Sequence, residues 1–252
     1  MAASPLLEIT DVSVSFDGFY ALTDLSIRLM RGELRSIIGP NGAGKTTFLD
    51  VITGKVKPSK GSVAFQGKNL KGLSEQKISR LGIGRKFQTP RVFDNLTVVR
   101  NLELAAAPIK NPLGLVKDKL PTAIKDEVQR LLSYVGLAPF ARRQAGSLSH
   151  GQKQWLAIAM VVAQSPQLIL LDEPVAGLTD EETSRTAELI KSLAGEHTVV
   201  VIEHDMEFIR ELNAPVTVLH QGTVLTEGFL DTVKNDPKVI EVYLGQSQDE
   251  SH

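Results

Sequence analysis

The chain has 252 residues, with 28 Lys+Arg against 29 Asp+Glu and no cysteine. That balance excludes a broad basic surface for a nucleic-acid backbone, and the missing cysteine excludes disulfides and thiolate metal sites. Apolar residues make up 42% of the chain, enough for a full core. Its longest apolar run, "WLAIAMVVA" (155–163), is too short to cross a bilayer, and the N-terminus shows no secretory leader pattern.

Leu7, Ile9, Val12, Val14 and Phe16 interleave with polar residues, which predicts antiparallel, half-exposed strands. "ELRSIIG" (33–39) reads as a strand running into a glycine-rich turn, and "KTTFLDVIT" (45–53) as a helix stopped at Gly54. "GSVAFQG" (61–67) is another strand. Helical spacing follows in "LTVVRNLELAAA" (96–107) and "PTAIKDEVQRLLSYVG" (121–136), joined through a polar connection that includes "GLVKDKL" (114–120). Residues 90–165 are therefore expected to form a helical subdomain inserted into an α/β core. "LILLD" (168–172) and "TVVVIEHD" (198–205) are continuous apolar runs, as in parallel strands covered on both faces. Between them, Thr179 and Glu182 have the spacing of a capping box for a helix ending at Gly195. "PVTVLHQGTVLTEG" (215–228) predicts a hairpin, and the tail 246–252 is polar.

"GPNGAGKT" (39–46) fits the pattern G-x-x-x-x-G-K-[ST] between a strand and a helix. Such a loop turns successive backbone N–H groups toward one phosphate, and the helix start adds partial positive charge. Lys45 is then placed for the β- and γ-phosphates and Thr46 for Mg²⁺. The strand 168–172 delivers Asp172 to its carboxyl end, where it can hold Mg²⁺ through water. Glu173 faces elsewhere and can polarise an attacking water. Taken alone, three other residues have bland readings. A His such as His204 at a strand end is more often structural, a loop Gln such as Gln88 is usually solvated, and a lone Phe such as Phe16 is usually core. "SLSHGQKQW" (147–155) places Ser149 and Gly151 at a helix start whose N–H groups point outward, suited to an anion that its own neighbourhood does not supply.

Taken in order, these motifs resemble the ATP-binding cassette (ABC) ATPases over essentially the whole chain. The resemblance makes "GPNGAGKTT" the Walker A motif, "LSHGQ" (148–152) the signature, "LILLDE" the Walker B motif and His204 the switch histidine. It implies a P-loop, RecA-like α/β core (1–89 and 166–245) with an N-terminal antiparallel β subdomain and the inserted helical subdomain. ATP is then held by Phe16 against adenine and by Gly39, Pro40, Asn41, Gly42, Ala43, Gly44, Lys45, Thr46 and Thr47. Thr46, Gln88 and Asp172 are the implied Mg²⁺ residues, and Glu173, Gln88 and His204 the catalytic ones. Ser149, Gly151 and Gln152 would serve nucleotide on a second cassette packed head to tail.

The resemblance narrows further. "GIGRKFQTPRVFDNLTVVRNLELA" and the C-terminal hairpin are similar to the branch serving hydrophobic amino acid and amide importers. "LSHGQKQWLAI", "DEPVAGLTDEE" and "VVIEHDMEFIR" resemble the ATP-binding subunits of bacterial urea importers, with branched-chain amino acid transport, lipopolysaccharide transport or a soluble, non-transport ABC ATPase as the alternatives. Implied partners are a second cassette, transmembrane permease subunits and, indirectly, a periplasmic solute receptor, with no nucleic acid. The implied location is the cytoplasmic face of the inner membrane. His150 departs from the signature's usual glycine and Thr179 from the usual Asp.

Overall fold

The computed structural model describes residues 4–86, 88–107 and 120–245. Strands β1 (Leu7–Phe16) and β2 (Phe19–Leu29) form the expected antiparallel pair. The apolar spacing of β1 changes phase between Ile9 and Val12. The structure absorbs the extra residue by a register shift there, with Asp11 at φ 48°. Leu7, Ile9, Val12 and Val14 thus share one buried face, while Phe16 remains 48% exposed. β4 (Lys60–Phe65) and β5 (Lys68–Asn69) complete a four-stranded sheet in the order β2-β1-β4-β5.

A second sheet contains β3 (Leu34–Ile38), β6 (Ile83–Lys86), β7 (Leu168–Asp172), β8 (Thr198–Ile202), β9 (Val216–His220) and β10 (Thr223–Gly228). Its order is β10-β9-β3-β8-β7-β6, parallel except for the β9–β10 hairpin. Every residue of β7 and β8 is buried, and alternate residues serve different cores. Leu168, Leu170, Val200 and Ile202 pack with Phe48, Leu49 and the four-stranded sheet. Ile169, Leu171, Val199 and Val201 pack on the opposite face with Trp155, Leu156 and Ile190. Two covered faces explain why these strands read as unbroken apolar runs. The fold is thus the mixed α/β cassette fold expected, with an antiparallel β subdomain beside a parallel P-loop sheet.

Helix α1 (Lys45–Ile52) follows β3 directly, and α2 (Glu75–Arg80) precedes β6. Between β6 and β7 the described elements are α3 (Val98–Ala106), α4 (Thr122–Tyr134), α5 (His150–Val162) and two single 3₁₀ turns. The core then continues with α6 (Asp180–Leu193), α7 (Met206–Leu212), α8 (Leu230–Val233) and α9 (Pro237–Gly245). Thr97 caps α3 and Thr179 with Glu182 forms the expected capping box on α6. The sequence did not single out α2, α7 or α8, because helices of four to seven residues repeat an apolar period at most twice. The tail 246–252 and all of "GLVKDKL" but Leu120 lie outside the described residues.

Candidate nucleotide site

Strands β3, β6, β7 and β8 are parallel, so their carboxyl ends share one edge of the sheet. The loop 39–44 leaves β3 there, Asp172 ends β7, Glu203 and His204 follow β8, and Gln88 lies two residues beyond β6. Topology alone therefore gathers residues spread over more than a hundred positions, at the edge where open parallel sheets bind ligands.

Gly44 begins α1 at φ 99°, and a Cβ on it would meet Ala21 O at 2.6 Å and Leu22 Cδ2 at 2.8 Å. The start of β2 thus presses directly on the loop. Gly222, in the β9–β10 turn, donates its N–H to Ala43 O at 3.1 Å and accepts from Thr23 N at 3.0 Å. Phe16, Phe19 and the exposed Tyr20 close the β1–β2 hairpin immediately beyond this contact. Lys45 Nζ donates to Gly39 O at 2.5 Å and to Pro40 O at 2.9 Å, so the loop's own carbonyls hold it. Burial pulls its pKa down, while the Glu173 and Asp172 carboxylates oppose that shift. Pro40 and Ala43 are buried; Asn41, Gly42 and Thr46 are exposed, and Thr47 is half-buried.

Gln88 Nε2 donates to Glu173 Oε2 at 2.5 Å. His204 Nδ1 lies 3.7 Å from Glu173 Oε1 and 3.7 Å from Glu203 Oε2. The three residues expected to be catalytic are therefore neighbours. Glu173 takes φ 44°, an unusual conformation for a residue with a side chain, and its N–H is fixed on Ile202 O at 2.9 Å.

Other residues of the site were missed from the sequence. Arg85 of β6 bridges Asp50 Oδ1 of α1 at 2.5 Å and Asp172 Oδ2 at 3.0 Å, tying the P-loop helix to the end of β7. Glu203, 1% exposed, accepts the N–H groups of Val175 (3.2 Å) and His204 (3.1 Å), and burial pushes its carboxyl pKa up. Lys86 is 2% exposed, and burial moves its pKa down to about 8 against the pull of Asp172, Glu203 and Glu173. One signal was available: Arg85 and Lys86 are two adjacent cations shortly before Gln88.

Ser149, Gly151 and Gln152 stand apart from this cluster. No hydrogen bond or ion pair joins 149–152 to 39–47 among the described residues. Ser149 caps α5, accepting Gln152 N at 3.2 Å and donating its N–H to Gln152 Oε1 at 3.1 Å. The backbone N–H groups of His150 and Gly151 have no acceptor among the described residues. His150, in the usual glycine position, bonds Ala176 O through Nε2 at 3.0 Å. Gln154 reaches both His150 Nε2 (3.4 Å) and Gln88 O (3.5 Å). Thr179 N–H is taken by Glu182 Oε2 at 3.2 Å. Both departures from the family pattern thus lie where the signature meets the turn after Walker B.

The family model "ABC transporter" matches residues 22–176. The chain belongs to the ABC transporter family. The high-affinity branched-chain amino acid transport ATP-binding protein LivG of Salmonella typhimurium is 37% identical over 97% of this chain and 100% of its own. An ATP-binding cassette of an ABC transporter, MJ1267, in its ADP conformation superimposes with a TM-score of 0.84 at 30% identity, covering 96% of this chain and 100% of that one. The dimeric cassette MJ0796 bound to ADP and Pi gives 0.74 at 28% identity, over 89% and 98%. These likenesses make this ABC chain an ATP-hydrolysing, ATP-binding transport subunit. They name branched-chain amino acids, the alternative in the sequence reading, where that reading put urea first. No helix among the described residues is long and apolar enough to cross a membrane.

Proposed function

We propose that this subunit powers an importer of the hydrophobic amino acid and amide branch, by ATP-driven closure of two cassettes against transmembrane permease subunits. Its place is the cytoplasmic face of the membrane that holds them. The observation that carries the reading is the Gln88–Glu173–His204 cluster, set at the sheet edge beside the Lys45 loop.

In this reading Phe16 stacks on adenine and residues 39–47 hold the phosphates, with Lys45 turning from its loop carbonyls to the γ-phosphate. Glu173 accepts a proton from the attacking water, and Gln88 and His204 fix its carboxylate. Thr46, Asp172 and the Gln88 amide oxygen form an all-oxygen donor set that fits Mg²⁺, whose charge would offset that of the phosphates. No group of three or more His, Cys, Asp or Glu fit to hold a metal alone occurs among the described residues, consistent with an ion held largely by phosphate and water. Ser149, Gln152 and the N–H groups of His150 and Gly151 face the nucleotide of a second cassette; that the similar cassette MJ0796 is dimeric with ADP and Pi bound supports this.

For the solute, the relatives' names support a branched-chain amino acid. A second reading, urea, rests on the resemblance of the segments that carry His150, Trp155 and Thr179, each of which is tied to the α6 helix or the turn before it. His150 bonds Ala176 O, Thr179 bonds Glu182, and Trp155 Nε1 donates to Thr186 Oγ1 at 3.0 Å. The test is ATPase activity of the reconstituted transporter with its receptor loaded with leucine or with urea. Stimulation by leucine alone supports the first reading and by urea alone the second; stimulation by neither sinks both.

A further inference from the structure

Lys86 is the last residue of β6 and pairs in register with Leu171, one position before Asp172. Neighbours in a parallel ladder share a face, so Lys86 leaves the sheet on the side of Leu171, opposite to Arg85. Arg85 serves the P-loop face through Asp50. Lys86 instead enters the face covered by α5 and α6, beneath the turn that carries Glu173. Its Nζ is buried and has no hydrogen-bond partner among the described residues. The carboxylates that act on it are Asp172, Glu203 and Glu173.

A buried ammonium without a hydrogen-bond partner is costly, and so is a buried carboxylate such as Glu203. Each makes the other tolerable. Glu203 is the mechanical link, because it holds the Val175 N–H at the far side of the 172–175 turn. Glu173 sits inside that turn, at the strained φ that aims it at Gln88.

We propose that Lys86 is a positioning residue for ATP hydrolysis: its buried charge holds Glu203 and Glu173 together, and so fixes the turn that aims Glu173 at Gln88. Lys86 itself touches neither nucleotide nor water. The inference rests on Glu173 being the base.

The experiment compares full chains in the assembled transporter. Lys86→Met keeps the length and removes the charge. It should lower kcat by about ten-fold or more while moving KM for ATP by less than about three-fold, the pattern of lost transition-state alignment with intact binding. Adding Glu203→Gln to Lys86→Met removes the stranded carboxylate, and should raise kcat above that of Lys86→Met alone. Lys86→Arg, which retains charge, should stay closer to wild type than Lys86→Met and serves if the latter folds poorly. Unchanged kcat in Lys86→Met overturns the proposal. A rise in KM with kcat preserved also overturns it, because Lys86 would then be binding nucleotide. So does a double variant no faster than the single. Glu173→Gln run in parallel separates the two levels. If it hydrolyses like wild type, the assignment of the base fails; if it is inactive and Lys86→Met is not, only the role of Lys86 fails.

Discussion

Gly151 has no side chain because the carboxylate of Glu182 occupies the space where one would begin: a Cβ built on residue 151 would press into both carboxylate oxygens. A side chain at 151 would have to displace that carboxylate, the free end of a flexible side chain. Glu182 completes the cap on α6 with Thr179, so the displacement would loosen that box while altering the signature. A substitution at Gly151 therefore changes two features at once, whereas one at Ser149 leaves Glu182 in place.

Ser149→Asp keeps a good helix cap, since Asp and Ser rank together at that position, yet it adds a negative charge where the phosphate of a partner is proposed to sit. It should block hydrolysis in a dimer of such chains, as Glu173→Gln does in its own. Mixing the two variants joins an intact Walker pair on one chain to an intact signature on the other, so phosphate release should reappear. No recovery despite proven subunit exchange would assign "LSHGQ" to its own chain. With a different cassette as partner, lesions on opposite subunits should spare one site and lesions on one subunit should spare none.

Lys45→Ala removes the ammonium now resting on Gly39 O and Pro40 O. Loss of a charge-assisted contact is worth about 1.5–3 kcal/mol, so ATP affinity should fall by about ten- to a hundred-fold. Titration with nucleotide measures it; an unaltered Kd would remove Lys45 from the phosphate site.

Glu173→Gln preserves shape and the contact with Gln88, but the amide cannot take a proton. Hydrolysis should drop by about a hundred-fold or more with ATP binding retained. The readout is steady-state phosphate release beside a binding titration. Wild-type turnover would show that another group accepts the proton.

Trp155→Phe should destabilise the fold without touching the site. The indole N–H bond to Thr186 is lost, and Arg185, 4.0 Å from the ring centroid, then stacks on a weaker partner. The sum is about 1–2 kcal/mol, read as a lower denaturant midpoint at unchanged slope. An unshifted midpoint would mean that α5 and α6 are held together by apolar packing alone.

The sequence by itself determined the elements that repeat a period long enough to be read, and the motifs whose chemistry is local. β1 shows a half-exposed strand in the spacing of Leu7, Ile9, Val12 and Val14, β7 and β8 announce two covered faces, and Thr179-x-x-Glu182 is a cap in four residues. The P-loop is likewise local, because glycine, lysine and threonine act within one turn and one helix start. Only the tertiary structure decided what non-local partners do. Arg85 joins Asp50 to Asp172, Glu203 holds the N–H of Val175, and Gly151 lies against Glu182 on another helix. No window of sequence contains both members of any of these pairs. Their contact follows from strand order, which sets β6 beside β7, and from the packing of α5 on the same face as α6.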